Sequence, residues 1–406
     1  MGLSEREIAA RAGVDAAYVG VLVRVGLLTP SSDGTFTEGD ARRARVYQGL
    51  ERAGLPIETI AEALDRGALS FEFLDRPLYD RFAGLSPRSF REVSEREGIP
   101  IGLLLVVRDA IGFAHAEPDE PMREDELRIV PLVGLQLANG FDPAVIERWL
   151  RVYGLALRRI AETEANWWYT QVALPMLASG LSSAEVLERT QERGEVFARL
   201  TEEALLAVYH AHQEHTWTES LIEEVESALD RAGLRAEMRA TPAICFVDIS
   251  GFTDLTEQRG DEAAADLAER LAAPVSLPAE RRGGKVVKWL GDGVMLHFRR
   301  AEDAVPAALE ILEAVADAGL PPAHIGIHSG PVVFQGGDYF GRTVNLAARI
   351  ADHAEPGRIL VSDDVATAAG GNRSVAVTPV GAVALKGIAE PVLLHIVERG
   401  EPLVQP

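Results

Sequence analysis

Three segments in the C-terminal part of the chain carry residue types that could do chemistry together. The first is the apolar run Ala243 to Ile249, of strand length, with Asp248 near its end. Gly251-Phe252-Thr253 follows, then a helical pattern from about Asp254. A carboxylate at a strand end is costly to bury unless it is paired or holds a cation. Strand, glycine turn and helix in succession point backbone N–H groups at an anion. The second segment, Gly284 to Phe298, reads as two strands joined by Gly291-Asp292-Gly293, a hairpin signal that sets Asp292 at the tip. If that hairpin pairs with the first strand, Asp248 and Asp292 meet, and a pair of Mg²⁺ ions is the natural resolution of their repulsion. The third segment runs from Gly336 to Ile350. Asn345 and Arg349 lie four apart on an expected helix and share a face, where an amide and a guanidinium could hold a ribose and a phosphate.

Each feature has a plainer reading on its own. Asp248 could be a cap, Asp292 a turn former, and Asn345 and Arg349 ordinary surface residues. It is the set, in this order, that argues for a site.

The elements that must position these residues lie in a region that alternates strands and helices, residues 241 to 400. Residues 1 to about 70 read as short amphipathic helices with a turn-rich insert, Pro30-Ser31-Ser32-Asp33-Gly34. Residues 71 to 216 read as helical: Leu104, Val107 and Ile111 recur at helical spacing, as do Ile146, Trp149, Leu150 and Tyr153. Gly84-Leu85-Ser86-Pro87 and Gly180-Leu181-Ser182-Ser183 punctuate them. A linker helix is expected over 217–240, with Leu221, Ile222, Val225, Leu229 and Leu234 on one face. The expected fold class is α+β, an all-α N-terminal region followed by the strand-and-helix domain. No repeat of fixed period is present, which excludes a solenoid.

At 406 residues the chain needs more than one core, and its 47% apolar content suffices to build them. The net charge of −22 opposes contact with nucleic-acid backbones and anionic lipid. Cys245, the single cysteine, excludes an intramolecular disulfide and a cysteine-based zinc site, and reads as a small core hydrophobe. The N-terminus lacks a signal-peptide pattern, and the apolar stretch Ile101 to Val107 is too short to span a bilayer. A cytoplasmic protein with no membrane contact is expected.

The C-terminal segments resemble the class III adenylate cyclases. The resemblance is carried by Phe246-Val247-Asp248-Ile249-Ser250-Gly251-Phe252-Thr253, by Lys288-Trp289-Leu290-Gly291-Asp292, and by Asp338 with Val344-Asn345 and Arg349. Gly326-Ile327-His328-Ser329-Gly330 and Leu385-Lys386-Gly387 are similar to further family segments, so the likeness spans 241–398. It implies a ferredoxin-like βαββαβ core. It implies two Mg²⁺ or Mn²⁺ ions per site, held by Asp248, Asp292 and the Ile249 backbone. Amides from about Ile249 through Gly251 and Phe252 to Thr253 would hold the terminal phosphates. Arg349 would balance charge at the α-phosphate and Asn345 would orient the ribose. Lys288 and Asp338 would read adenine, making ATP the substrate and cyclic AMP and pyrophosphate the products. The family's active sites lie across a homodimer interface. Gly336-Gly337-Asp338-Tyr339-Phe340 also looks like a diguanylate cyclase signature, but in those enzymes it sits on the hairpin between central strands. Here that hairpin is matched by Leu290-Gly291-Asp292-Gly293.

Residues 4 to 66 resemble the winged helix-turn-helix of MerR-type regulators, through Glu7 to Val14, Val25 to Pro30, Phe36 to Arg43 and Ala53 to Ile60. The second helix, Ala16 to Arg24, carries only Arg24 as a base, and Ser31 to Phe36 carries none, which weighs against DNA as a partner; Arg42, Arg43 and Arg45 remain as phosphate contacts. The helical middle region resembles, more loosely, the autoinhibitory domains of pH-responsive soluble bacterial cyclases. His210, His212 and His215 cluster before the linker and could titrate near neutral pH. The competing readings are a DNA-binding or nucleotide-sensing regulator with a weak or inactive cyclase domain, and a cyclase with another nucleotide preference.

Overall fold

The computed structural model describes residues 2–75, 79, 84–233, 241–252, 257, 260–370, 372 and 374–400. Two compact units divide the chain, Met1–Glu224 and Val225–Pro406.

In the first unit, helices Glu5–Ala12, Ala16–Arg24, Glu38–Arg52 and Ile57–Asp65 close on a core containing Ile8, Val19, Leu22, Ala44 and Tyr47. Their starts are written locally. Ser4 and Thr37 each form a capping box, and the Asp15 carboxylate accepts from the Ala17 N–H. The expected wing is a tight turn in which Ser31, Asp33 and Thr35 hydrogen-bond one another, closed by a bridge from Leu3 to Phe36. The three arginines that might have touched phosphate are engaged internally. Arg42 donates to the Leu74 carbonyl, Arg43 pairs with Asp40 and Asp75, and Arg45 donates to the Arg11 and Ala12 carbonyls.

A second core, with Phe90, Val93, Leu104, Val107, Val133, Ile146 and Leu150, lies among helices Phe90–Glu97, Ile101–Ala110, Val130–Ala138 and Pro143–Trp168. The all-α expectation for the N-terminal region needs correction. Strands β1 (Leu85–Ser89) and β2 (Pro121–Arg123) form a short antiparallel ladder. Pro87 holds Ser86 extended, so the segment read as punctuation pairs instead of turning. The expected linker helix has no break at 217: it continues a 49-residue helix, Ser183–Arg231. Residues 234–240 lie outside the described residues.

The second unit is built on a seven-stranded sheet. In chain order its strands are β3 (Ala243–Ile249), β4 (Gly284–Trp289), β5 (Gly293–Phe298), β6 (Ala323–Ser329), β9 (Ile359–Ser362), β10 (Val375–Val383) and β11 (Val392–Arg399). Strands β7 (Val333–Gln335) and β8 (Asp338–Phe340) form a separate hairpin. The spatial order is β10-β11-β9-β6-β3-β5-β4. Its β6-β3-β5-β4 part is antiparallel throughout, with helices Asp261–Arg281 and Ala301–Asp317 connecting β3 to β4 and β5 to β6. That is the ferredoxin-like βαββαβ arrangement expected from sequence. β3 is central and covered on both faces for most of its length, which explains its unbroken apolar run.

Side chains alternate across β3. Ala243, Cys245, Val247 and Ile249 enter the main core with Leu271, Val275, Leu296, Val305 and Ile311. Cys245 is fully buried, and burial pushes its thiol far above the ordinary value, so it behaves as a core hydrophobe. Ile244, Phe246 and Asp248 face the other way. There Ile244 packs with Met295, Tyr339 and Ala347 beneath helix Arg342–His353.

Candidate active site

The register of three strands assembles the acidic part of the site. On the open face of the sheet, Asp248 lies opposite Gly293 of β5 and His324 of β6. Gly293 follows Asp292 directly, so the β4–β5 turn brings the second carboxylate to the first. Gly291 takes φ 81°, a left-handed conformation that favours glycine, and Leu290 N–H donates to the Gly293 carbonyl at 2.7 Å to close the turn. A Cβ on Gly293 would lie 3.2 Å from Asp248 Oδ1, so the carboxylate rests over a position with no side chain. Burial raises the pKa of Asp248, and the Asp292 charge raises it further. Against these, the His324 charge and the Ile249 N–H, which donates to Asp248 Oδ1 at 3.1 Å, favour the carboxylate.

The Asp248–Asp292 pair is therefore a like-charged pair of oxygen donors, partly buried and open to ligand. All-oxygen carboxylate sets suit Mg²⁺ and Mn²⁺. The residues fit a divalent cation. Among the described residues no third His, Cys, Asp or Glu joins them as a metal-holding cluster.

The segment after Asp248 is partly committed already. Ile249 N–H serves Asp248, and Ser250 N–H donates to the Pro322 carbonyl at 3.0 Å. Two of the five amides expected to hold phosphate thus have partners inside the domain. Gly251 follows at φ 76° and is exposed; Phe252 packs partly on the main core. Thr253 and the expected helix start at Asp254 lie outside the described residues.

A second cluster sits on the same face, nearer the sheet edge. Lys285 pairs across the ladder with His297, Val286 with Leu296, and Lys288 with Met295. Val287 is the extra residue of a β-bulge. Strict alternation would send Lys288 to the opposite face from Lys285; the bulge returns it to the same face. Lys288 there forms an ion pair with Asp338 Oδ2, while Tyr339 N–H donates to Asp338 Oδ1 at 2.8 Å. Asp338 opens β8 because Gly336 and Gly337, at φ 61° and 82°, make the two-residue turn from β7. The hairpin bearing the Gly-Gly-Asp-Tyr-Phe run is thus outside the central sheet, as the cyclase reading requires.

Asn345 and Arg349 share the exposed face of helix Arg342–His353, whose other side buries Leu346, Ala347, Ile350 and Ala351. Gly326 on β6 lets this helix sit close: a Cβ there would come within 2.0 Å of the Ala351 nitrogen. Arg349 pairs with Asp352 at 2.6 Å, and Asp352 adds a small upward contribution to the Asp248 pKa. No hydrogen bond or ion pair among the described residues joins Lys288 and Asp338 to Asp248, or Arg349 to either cluster.

Three functional neighbours escaped the sequence reading. His324 places Nε2 3.6 Å from Asp248 Oδ2 and shares a 3.1 Å hydrogen bond through Nδ1 with Ser250 Oγ. Asp352 holds Arg349. His297 stacks on Tyr339, the neighbour of Asp338. His324 and the His297–Tyr339 stack depend on how distant strands come together, which local pattern does not carry; Asp352 lies three residues after Arg349 on the same helix, a local spacing that the sequence does hold.

Residues 235–399 match the family model described as the adenylate and guanylate cyclase catalytic domain. The chain is 29% identical over 296 residues to a protein of Mycobacterium tuberculosis named pH-sensitive adenylate cyclase, covering 70% of each. It is 29% identical over 254 residues to an adenylate cyclase of Streptomyces coelicolor, covering 62% of this chain and 64% of that one. Among solved structures, the adenylyl cyclase CyaB of P. aeruginosa aligns at 26% identity over 40% of this chain and 95% of its own, with a TM-score of 0.37. Residues 235–399 are thus similar to the adenylate and guanylate cyclase catalytic domain, within a chain similar to bacterial adenylate cyclases. No helix among the described residues is long and apolar enough to cross a membrane.

Proposed function

We propose that the chain is an adenylate cyclase converting ATP to cyclic AMP and pyrophosphate, with each active site completed by a second copy of the chain. The observation that supports it most is the occurrence, on one open sheet face, of a like-charged carboxylate pair and a Lys–Asp pair presenting a donor beside an acceptor. Asp248 and Asp292, with the Ile249 backbone, would hold two Mg²⁺ or Mn²⁺ ions, which lower the pKa of the ribose 3′-hydroxyl and neutralise the triphosphate when bound. In the reaction the 3′-oxygen forms a bond to the α-phosphorus, the bond from that phosphorus to the bridging oxygen breaks, and the hydroxyl proton passes to solvent.

The chain's own side chains bind and orient. Lys288 donates to a ring nitrogen of adenine, and Asp338 accepts from its exocyclic amine. Guanine reverses both demands and would leave a donor and an acceptor unpaired. Asn345 holds the ribose for in-line attack, and Arg349 balances charge growing on the α-phosphate. Arg349 must exchange Asp352 for substrate. Gly251 and Phe252, with Thr253, would approach the terminal phosphates.

A shared site is tested by mixing two inactive full-length variants, Asp248→Asn and Arg349→Ala. One intact site should form in each mixed dimer, restoring about a quarter of wild-type activity in an equal mixture. No recovery, with subunit exchange shown, would contradict the shared site.

Regulation by the N-terminal unit, including a response to pH, is the finer part of this reading. It rests on the name and 70% coverage of the mycobacterial relative. His210, His212 and His215 lie exposed on helix Ser183–Arg231, with His215 Nε2 3.4 Å from Glu219. Replacing all three with Gln in the full chain should flatten the pH–activity profile; an unchanged profile would remove these histidines from the account.

A further inference from the structure

The base-reading pair is held in place by a ring stack that the reaction itself does not use. His297 on β5 lies face to face with Tyr339 on β8, with ring centroids 4.3 Å apart and planes inclined by 6°. Tyr339 is nearly buried and packs with Ile244, Met295 and Ala347. Its other neighbours are Phe334, at 5.0 Å between centroids, and the Lys285 ammonium, 5.6 Å from its ring centre. The Tyr339 backbone N–H donates to Asp338 Oδ1, and Asp338 Oδ2 pairs with Lys288. The β7–β8 hairpin is not hydrogen-bonded into the central sheet. Ring packing therefore carries much of its attachment to the β4–β5 ribbon.

We infer that His297 is a positioning residue for nucleotide selection: its stack on Tyr339 fixes the β7–β8 hairpin so that Asp338 faces Lys288. Burial and the adjacent Lys285 charge push the His297 pKa down to about 4, so the ring is neutral near physiological pH. A flat neutral ring is what the stack needs, and no described contact ties His297 to Asp248, Asn345 or Arg349. The inference rests on the reading of Lys288 and Asp338 as the adenine readers.

The test compares kcat/KM for ATP and for GTP in full-length His297→Leu, His297→Phe and Asp338→Asn. Loss of the ring in His297→Leu should lower the ATP:GTP preference about tenfold, and His297→Phe should retain it. Mere loss of stability would lower both activities and leave their ratio unmoved. In the double variant His297→Leu/Asp338→Asn the two effects should not add, since both act through one carboxylate. If Asp338→Asn shifts the ratio and His297→Leu does not, the positioning role is wrong while base reading stands. If Asp338→Asn leaves the ratio unchanged, base reading fails and the positioning role falls with it. Should His297→Leu not fold, Tyr339→Leu against Tyr339→Phe applies the same test from the other ring: a ratio moved by Leu and kept by Phe supports the stack, and a ratio unmoved by both overturns it.

Discussion

Two carboxylates, one in each unit, show how differently this chain treats charge. Glu126 in the helical unit is 3% exposed and fully answered: both of its oxygens lie 2.8 Å from Arg108 Nη1, and Arg123 N–H donates to Oε2 at 2.8 Å. The Arg108 guanidinium rests in turn over Phe90. Asp248 in the sheet unit has one backbone donor, a histidine at 3.6 Å, and a second carboxylate as its neighbour. The first arrangement is complete without a ligand. The second is not, and it is this unanswered charge pair that the proposed metal-binding role of Asp248 and Asp292 would satisfy.

The sharpest way to break this contrast is substitution at Asp248. Asp248→Asn should reduce turnover by about a hundredfold to a thousandfold, as removal of a transition-state electrostatic group does, measured as product per folded dimer. It should also raise the melting temperature of the metal-free protein at neutral pH. The folded-state pKa of Asp248 lies above its unfolded value, so the folded state gains from protonation at low pH. That gain is lost as pH rises through the folded value, leaving an ionised Asp248 as a cost that Asn removes. Lower stability of the variant at neutral pH would contradict the like-charge reading.

Glu126→Gln should do the reverse and weaken the fold. Removing one partner of a buried pair costs about 3–5 kcal/mol. The shift in denaturation midpoint measures it, and a change under about 1 kcal/mol would class the pair with exposed ion pairs.

Gly326→Ala should cost about 1–3 kcal/mol through overpacking against Ala351, and displace the helix bearing Asn345 and Arg349. The fall in kcat should therefore exceed the fall in folded fraction. Equal losses would show that the helix position does not matter to chemistry.

The smallest effect belongs to His297. Its pKa is lowered from 6.5 to about 4, so it contributes stability above its unfolded value that is lost as pH falls from 6.5 toward 4. His297→Phe should flatten the stability profile across that window, as read by chemical denaturation at successive pH values.

Much of this contrast was legible in sequence wherever it was local. The apolar run ending at Asp248, the Gly-Asp-Gly turn and the i, i+4 spacing of Asn345 and Arg349 each fixed an element and a face. The bulge at Val287 was not legible, because nothing in Lys285-Val286-Val287-Lys288 distinguishes regular alternation from an extra residue. His324 reaches Asp248 only through the β3–β6 register, which pairs residues 76 positions apart by their partners and not by their spacing. The β1–β2 ladder is not legible either, because Gly84-Leu85-Ser86-Pro87 has the composition of a break, whereas a proline also holds the residue before it extended.

The most direct measurement incubates the full-length chain with ATP or GTP and Mg²⁺ or Mn²⁺, and identifies the cyclic product by mass. Cyclic AMP from ATP, in clear preference to cyclic GMP from GTP and absent in Asp248→Asn, is the expected result. Preferential cyclic GMP would contradict the adenine-reading assignment of Lys288 and Asp338. Metal-dependent nucleotide binding without any cyclic product would contradict the enzyme reading and favour a nucleotide-sensing regulator.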